Sequence, residues 1–175
     1  MYKCEILADS VSPQGDRLTT FKITYPRIIH AEMCRHRILS RNTASSRAIP
    51  FEKMVKDVQE NPFIPLAWQK EHKGMQGTEY ITDEHIINHR RGVWIQARDR
   101  AIHSAQQLND NLTKSYSTNE LYRLEGTGVT KQLCNRLLEP FVWTTELVSG
   151  TEWENFFELR MPCYEIDLDN LESLK

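Results

Sequence analysis

The apolar and polar positions of the first quarter of the chain fit strands, and those that follow fit helices. Residues 2–8 and 17–25 read as strands, the second, Leu18-Thr19-Thr20-Phe21-Lys22-Ile23-Thr24-Tyr25, being rich in β-branched and aromatic side chains. Between them Ser10-Val11-Ser12-Pro13-Gln14-Gly15-Asp16 is turn chemistry. Pro26 then suits the first turn of a helix over about 26–37, where its missing N–H is no loss. On that helix Ile28, Ala31, Glu32 and Arg35 share one face, and Ile29, Met33 and Arg37 another. Arg35-His36-Arg37 falls in its last turn, where cations suit the helix dipole.

A second short helix is predicted from Pro50 to just before Asn61-Pro62, and residues 63–80, with Pro65, Trp68, Gly74 and Gly77, read as irregular. A long helix runs from Thr82 to about Asn109, with Val93, Ala97, Ala101, Ala105 and Leu108 as a small-residue seam for a neighbour. Residues 129–139 form another, burying Val129, Leu133 and Leu137, with Gln132 and Arg136 on an adjacent face; Pro140 ends it. Thr151-Glu152-Trp153-Glu154 is a capping-box pattern that opens a helix carrying Asn155, Phe156 and Arg160, closed by Pro162. The class is mixed α and β, helix-rich.

Length changes the picture little: 175 residues without a Ser/Gly/Pro-rich linker or an internal repeat read as one domain, 1–175. Cys4, Cys34, Cys134 and Cys163 are scattered, with no CxxC pair, and read as reduced thiols of a cytoplasmic protein. The N-terminus has no apolar signal core and no run suits a membrane span.

Charge changes it more. Residues 35–47 hold Arg35, Arg37, Arg41 and Arg47, one histidine, and the hydroxyls of Ser40, Thr43, Ser45 and Ser46, with no acid. Guanidinium forks and hydroxyls together suit phosphate oxygens. The whole chain carries a net charge of −2, so this cluster favours a small phosphorylated ligand over long nucleic acid, and no membrane partner is expected. His85 and His89, with His103 on the same helix, lack a third metal ligand and read as a solvated face, so no metal is expected. Trp94, Trp143 and Trp153 read as core; Trp68 reads as core or as a stacking surface for a ring ligand. Cys163, three residues after Arg160, has no partnering base in the sequence.

These residues resemble the flavin-dependent thymidylate synthases, whose signature is Arg-His-Arg, seven residues, then Ser: here Arg35-His36-Arg37 and Ser45, with Arg47 at the place of a further family arginine. Pro26 and Ser12-Pro13 fall at the family's spacing, Arg136-Leu137-Leu138-Glu139-Pro140 resembles its Arg-x-x-x-Pro element, and Asn155-Phe156-Phe157-Glu158-Leu159-Arg160 its Asn-Phe-x-x-Leu-Arg helix. The anchors span residues 10–160 and look like a divergent, phage-type branch. The resemblance implies an α+β fold, helix-rich around a central antiparallel sheet, assembled as a homotetramer with sites at subunit interfaces. It implies that FAD, reduced by NADPH, passes the methylene of methylenetetrahydrofolate to dUMP, giving dTMP. Carried over, Glu32, Arg35, Thr43, Ser45, Ser46, Arg47, Arg136 and Arg160 hold dUMP, while Ser12, Arg35, His36, Arg37, Thr43 and Asn155 hold FAD. Arg160 is then the catalytic arginine, stabilising negative charge on the uracil ring.

The chain departs from the pattern at Ser10 (a histidine in many members), Glu32 (glutamine), Thr43 (glutamate), Ser149 (asparagine) and Thr151 (arginine). Two alternatives stay open on these grounds. Glu32 and Thr43 suit a related flavoenzyme that modifies another pyrimidine deoxynucleotide. Ser10, Ser149 and Thr151 suit a non-catalytic protein that binds nucleotide or RNA.

Overall fold

The computed structural model describes residues 1–74, 77, 79–110, 112–114, 121–123 and 128–160, with the side chains of 112–114, 121–123, 159 and 160 left aside. The readings of Pro162, Cys163 and the segment after them lie outside the described residues.

Strand β1 (Lys3–Val11) pairs antiparallel with β2 (Arg17–Pro26), the register slipping at a bulge between Ile6 and Ala8. Ser12 and Asp16 close the turn between them, and Gly15 takes the left-handed φ of 97° that this turn needs. The expected helix over 26–37 is mostly absent. Pro26 stays extended at the end of β2, a 3-10 turn follows at Arg27–Ile29, and α1 (His30–Met33) has a single turn. The Arg27 N–H donates to the Val142 carbonyl at 2.8 Å, so the chain stays tied to the sheet where a helix would have to leave it. Arg41 ends α1 from the other side, its guanidinium donating to the carbonyls of Met33 and Cys34. Arg35-His36-Arg37 therefore follows the helix rather than forming its last turn.

Next come β3 (Ser40–Thr43), unexpected from the sequence, α2 (Phe51–Glu60) and α3 (Glu84–Asn109), both helices close to where they were read. Asp83 caps α3 by accepting from the Ile86 N–H. Two short strands, β4 (Leu112–Lys114) and β5 (Leu121–Arg123), pair with each other. Helix α4 (Lys131–Leu138) leads through a 3-10 turn at Glu139–Phe141 into β6 (Trp143–Gly150), and α5 (Trp153–Arg160) follows. The main sheet has the order β1-β2-β6-β3 and is antiparallel throughout.

The core is built mainly by the helices: Phe51, Met54, Val55 and Val58 of α2 meet Ile102 and Ala105 of α3, Cys134 and Leu138 of α4, and Phe141 and Val142. Two sequence expectations shift here. Cys134, Asn135 and Leu138 face inward on α4, while Leu133 and Leu137 are 56% and 40% exposed, because the side turned to α2 and α3 is rotated by one residue. The seam on α3 closes only around Ala101, Ile102 and Ala105; Val93, Ala97 and Leu108 are exposed. Trp68 packs edge-on against Trp94, in the aromatic group that joins Phe63, Phe141 and Trp143. Along β6 burial alternates, so one sheet face is covered and the other carries polar pairs such as Thr20 with Ser149 and Thr24 with Thr145. Helix α5 folds over the covered face: Trp153 meets Phe21 edge-on and donates its Nε1–H to the Thr19 carbonyl at 3.2 Å. Gly150 lets Leu39 come close, since a Cβ there would stand 2.7 Å from Leu39 Cδ2.

Candidate active site

On the covered sheet face the register sets Ile23 and Thr43 on either side of Glu146, which is 1% exposed. Both carboxylate oxygens accept hydrogen bonds: Oε2 from the Tyr25 hydroxyl at 2.6 Å and Oε1 from the Thr43 hydroxyl at 2.8 Å. A buried carboxylate satisfied by two hydroxyls is tolerable where an unpaired one is not. The Tyr25 hydroxyl also lies 2.7 Å from His30 Nδ1, in the single turn of α1. Burial, then the Glu146 hydrogen bond and charge, raise the Tyr25 pKa, so its proton stays on oxygen. Burial and the Arg27 cation lower the pKa of His30.

Among the described residues, three cavities border this network. The largest of them, about 460 Å³, lies between the sheet, α1 and α5 and is lined by Phe21, Ile23, Tyr25, Trp153, Phe156 and Phe157, with Glu32 and His36 also on its border. Its walls are aromatic and apolar, and its size is ordinary for a ring ligand, within the roughly 300–1,000 Å³ of small-molecule sites. The second, about 410 Å³, is lined by Arg27, His30, Arg136 and Glu139. The third, about 180 Å³, includes Arg27, Ser46 and Thr144. Arg27 borders the last two, and the Tyr25–His30 contact joins the first to the second.

Of the residues implied by the resemblance, Glu32, His36, Ser46 and Arg136 line these cavities. Arg35, Arg37 and Arg47 are exposed, and among the described residues no ion pair occupies their guanidinium groups. His36 packs edge-on against Phe156, 5.0 Å between ring centroids, which ties the basic triplet to α5. Exposed Asn155 sits on that same helix. Ser45 Oγ accepts from the Arg47 N–H at 3.3 Å and shapes the turn before α2, while Ser46 is buried beneath it. Arg136 points its residue into the cleft shared with His30. Thr43 is engaged with Glu146. Arg160 closes α5, and its side chain lies outside the described residues. Ser12 is not brought to the group: its hydroxyl accepts from the backbone of Gln14 and Asp16 in the β1–β2 turn, at the far end of β2 from Tyr25.

Five residues escaped the sequence reading: Tyr25, Arg27, His30, Asn135 and Glu146. Asn135, fully buried in α4, donates Nδ2 to the carbonyls of Ser46 at 2.8 Å and Ile49 at 3.0 Å, so α4 holds the basic loop in place. A polar residue inside a helix gives no such signal in sequence. Among the described residues no group of three His, Cys, Asp or Glu could hold a metal, and His85 and His89 are exposed on α3. No helix among them is long and apolar enough to cross a membrane.

No protein-family model matches the sequence, and no curated protein matches it. Solved structures do. The crystal structure of PolB, a UMP/dUMP methylase from Streptomyces cacaoi, bound with 5-Br UMP, is similar with a TM-score of 0.57, covering 95% of this chain and 79% of that one at 14% identity. The same enzyme bound with 5-Br dUMP gives a TM-score of 0.54, 86% and 73% coverage, and again 14% identity. This chain has the fold of that methylase.

Proposed function

We propose that this chain is a flavin-dependent methylase that converts dUMP to dTMP, with methylenetetrahydrofolate as one-carbon donor and NADPH as reductant. The observation that carries the reading is the coincidence of two independent ones. The fold is that of a UMP/dUMP methylase, and the loop from Arg35 to Arg47 offers exposed guanidinium groups and hydroxyls beside a ring-sized apolar cavity.

Arg35, Arg47 and the Ser45 hydroxyl bind the nucleotide phosphate, with Arg136 and the buried Ser46 completing that side. Glu32 borders the cavity where the pyrimidine edge is read. The cavity walls of Phe21, Trp153, Phe156 and Phe157 suit a flat tricyclic ring, and His36, Arg37 and Asn155 are assigned to the remainder of FAD. FAD, if bound by these residues, would supply the electrons for the transfer. Arg160 stabilises negative charge on the uracil as its ring becomes nucleophilic, a role worth roughly 3 kcal/mol or more in a dry site. Assembly as a homotetramer, with folate meeting the site at a subunit boundary, belongs to the same reading. The open face of β1 and the exposed apolar residues of α3 and α4 support it.

The test is the visible spectrum of purified protein with FAD, then with dUMP, UMP or dCMP. A flavin band that shifts on adding dUMP is the expected result, and a protein that binds no FAD overturns the flavoenzyme reading. A shift with dCMP and none with dUMP moves the substrate to another pyrimidine and gives Glu32 the reason.

A further inference from the structure

We infer that Cys34 and His30 form a nucleophilic thiol–imidazole pair, a covalent site for a soft electrophilic carbon, with Tyr25 and Glu146 as its positioning residues. Cys34 Sγ lies 3.5 Å from His30 Nε2, and the cysteine is exposed. On the other side of the ring, His30 Nδ1 lies 2.7 Å from the Tyr25 oxygen. Tyrosine has one proton, and Tyr25 gives it to Glu146 Oε2 at 2.6 Å. Its oxygen is then an acceptor for His30, which must carry hydrogen on Nδ1. That leaves the Nε2 lone pair facing the thiol. Glu146 is fixed in turn by Thr43. A nucleophile, a base and an orienting group in this order are the arrangement that activates a thiol.

The charges around the ring favour the same state. Arg27 and Arg41 face His30 as cations and Glu146 and Glu139 as anions. Burial and Arg27 keep the imidazole below its ordinary pKa, hence neutral, with the Nε2 lone pair available to the thiol. The Arg41 guanidinium donates to the Cys34 carbonyl at 2.9 Å and so fixes the backbone that carries the thiol. In the reaction His30 Nε2 takes the Sγ proton and the sulfur pair forms a C–S bond. With a conjugate acceptor the displaced π pair takes that proton back from His30; with an alkyl halide the halide leaves and the proton passes to buffer. The pair stands apart from the methylase reading, whose chemistry needs no cysteine nucleophile.

Iodoacetamide is the probe, with each cysteine followed by peptide mass mapping. Exposed Cys4 is the internal reference and buried Cys134 reports that the fold is intact. At pH 7 Cys34 should be alkylated at least about tenfold faster than Cys4, and His30→Ala should bring it down to the Cys4 rate. Tyr25→Phe should slow Cys34 alkylation towards the Cys4 rate while Cys134 stays protected. Equal rates for Cys34 and Cys4, or a Cys34 rate indifferent to His30→Ala, overturn the pair. A Cys34 rate unmoved by Tyr25→Phe removes Tyr25 and Glu146 from it.

Discussion

Thr43 and Glu146 stand opposite each other across β3 and β6, the threonine hydroxyl donating to the carboxylate at 2.8 Å. The family resemblance expects an acid at position 43, and this chain supplies one from the neighbouring strand instead. The carboxylate then belongs to the sheet rather than to the loop, and it is held by Tyr25 as well.

Glu146→Gln tests that arrangement. An amide oxygen can accept from one hydroxyl, and the amide NH2 confronts the other, so a buried hydrogen bond is lost. The expected destabilisation is about 1–3 kcal/mol in urea unfolding. An unchanged midpoint would show that the two hydroxyls do not depend on the carboxylate.

Arg47→Ala should weaken dUMP on the order of 10- to 100-fold by calorimetry, since a charge-assisted pair is worth about 1.5–3 kcal/mol. Its exposure means that stability should move by less than about 0.5 kcal/mol. Arg160→Ala should abolish methyl transfer and leave flavin bound; a fully active variant takes Arg160 out of the mechanism.

Asn135→Ala removes both hydrogen bonds that hold residues 46 and 49 to α4. Stability should fall by about 2–3 kcal/mol, two buried carbonyls having lost their donor. Tryptic cleavage after Arg47 should accelerate in parallel, and a cleavage rate equal to that of the parent would mean that the loop is held by something else.

Asp9 gives a pH prediction. Its hydrogen bonds from Arg17, then from Thr19, lower its carboxyl from 3.8 to about 2. A carboxyl depressed on folding adds stability that is complete above its unfolded pKa and disappears as pH falls through the folded one. The melting-temperature gap between the parent and Arg17→Ala should therefore be level above about pH 5 and close towards pH 2. A gap that stays constant over that range removes the ion pair as its cause.

Helices α2 and α3 were legible because Pro50, Asn61-Pro62 and the length of the segment ending near Asn109 are strong local signals. The short α1 was not. Pro26 permits a helix start equally well as a strand end, and only the tie from Arg27 to Val142 and the Arg41 cap decide between them. On α4 the pattern of leucines pointed to the wrong face, since Leu133 and Leu137 are the apolar residues left outside. The basic cluster at 35–47 was visible as chemistry, and Arg35, Arg37 and Arg47 are exposed. Its supports were invisible, because Asn135 and Glu146 reach it from about a hundred residues away in the chain.

Strand β1 is exposed along its whole length, with Ile6, Leu7 and Val11 at 59%, 49% and 64%, and it forms one edge of the sheet. An uncovered edge of that kind is a template for another chain. Under the proposed tetramer its burial couples folding to mass action, so dilution should lower the melting temperature. Stability here is then a property of a solution at a stated concentration, and two measurements made at different dilutions describe different equilibria.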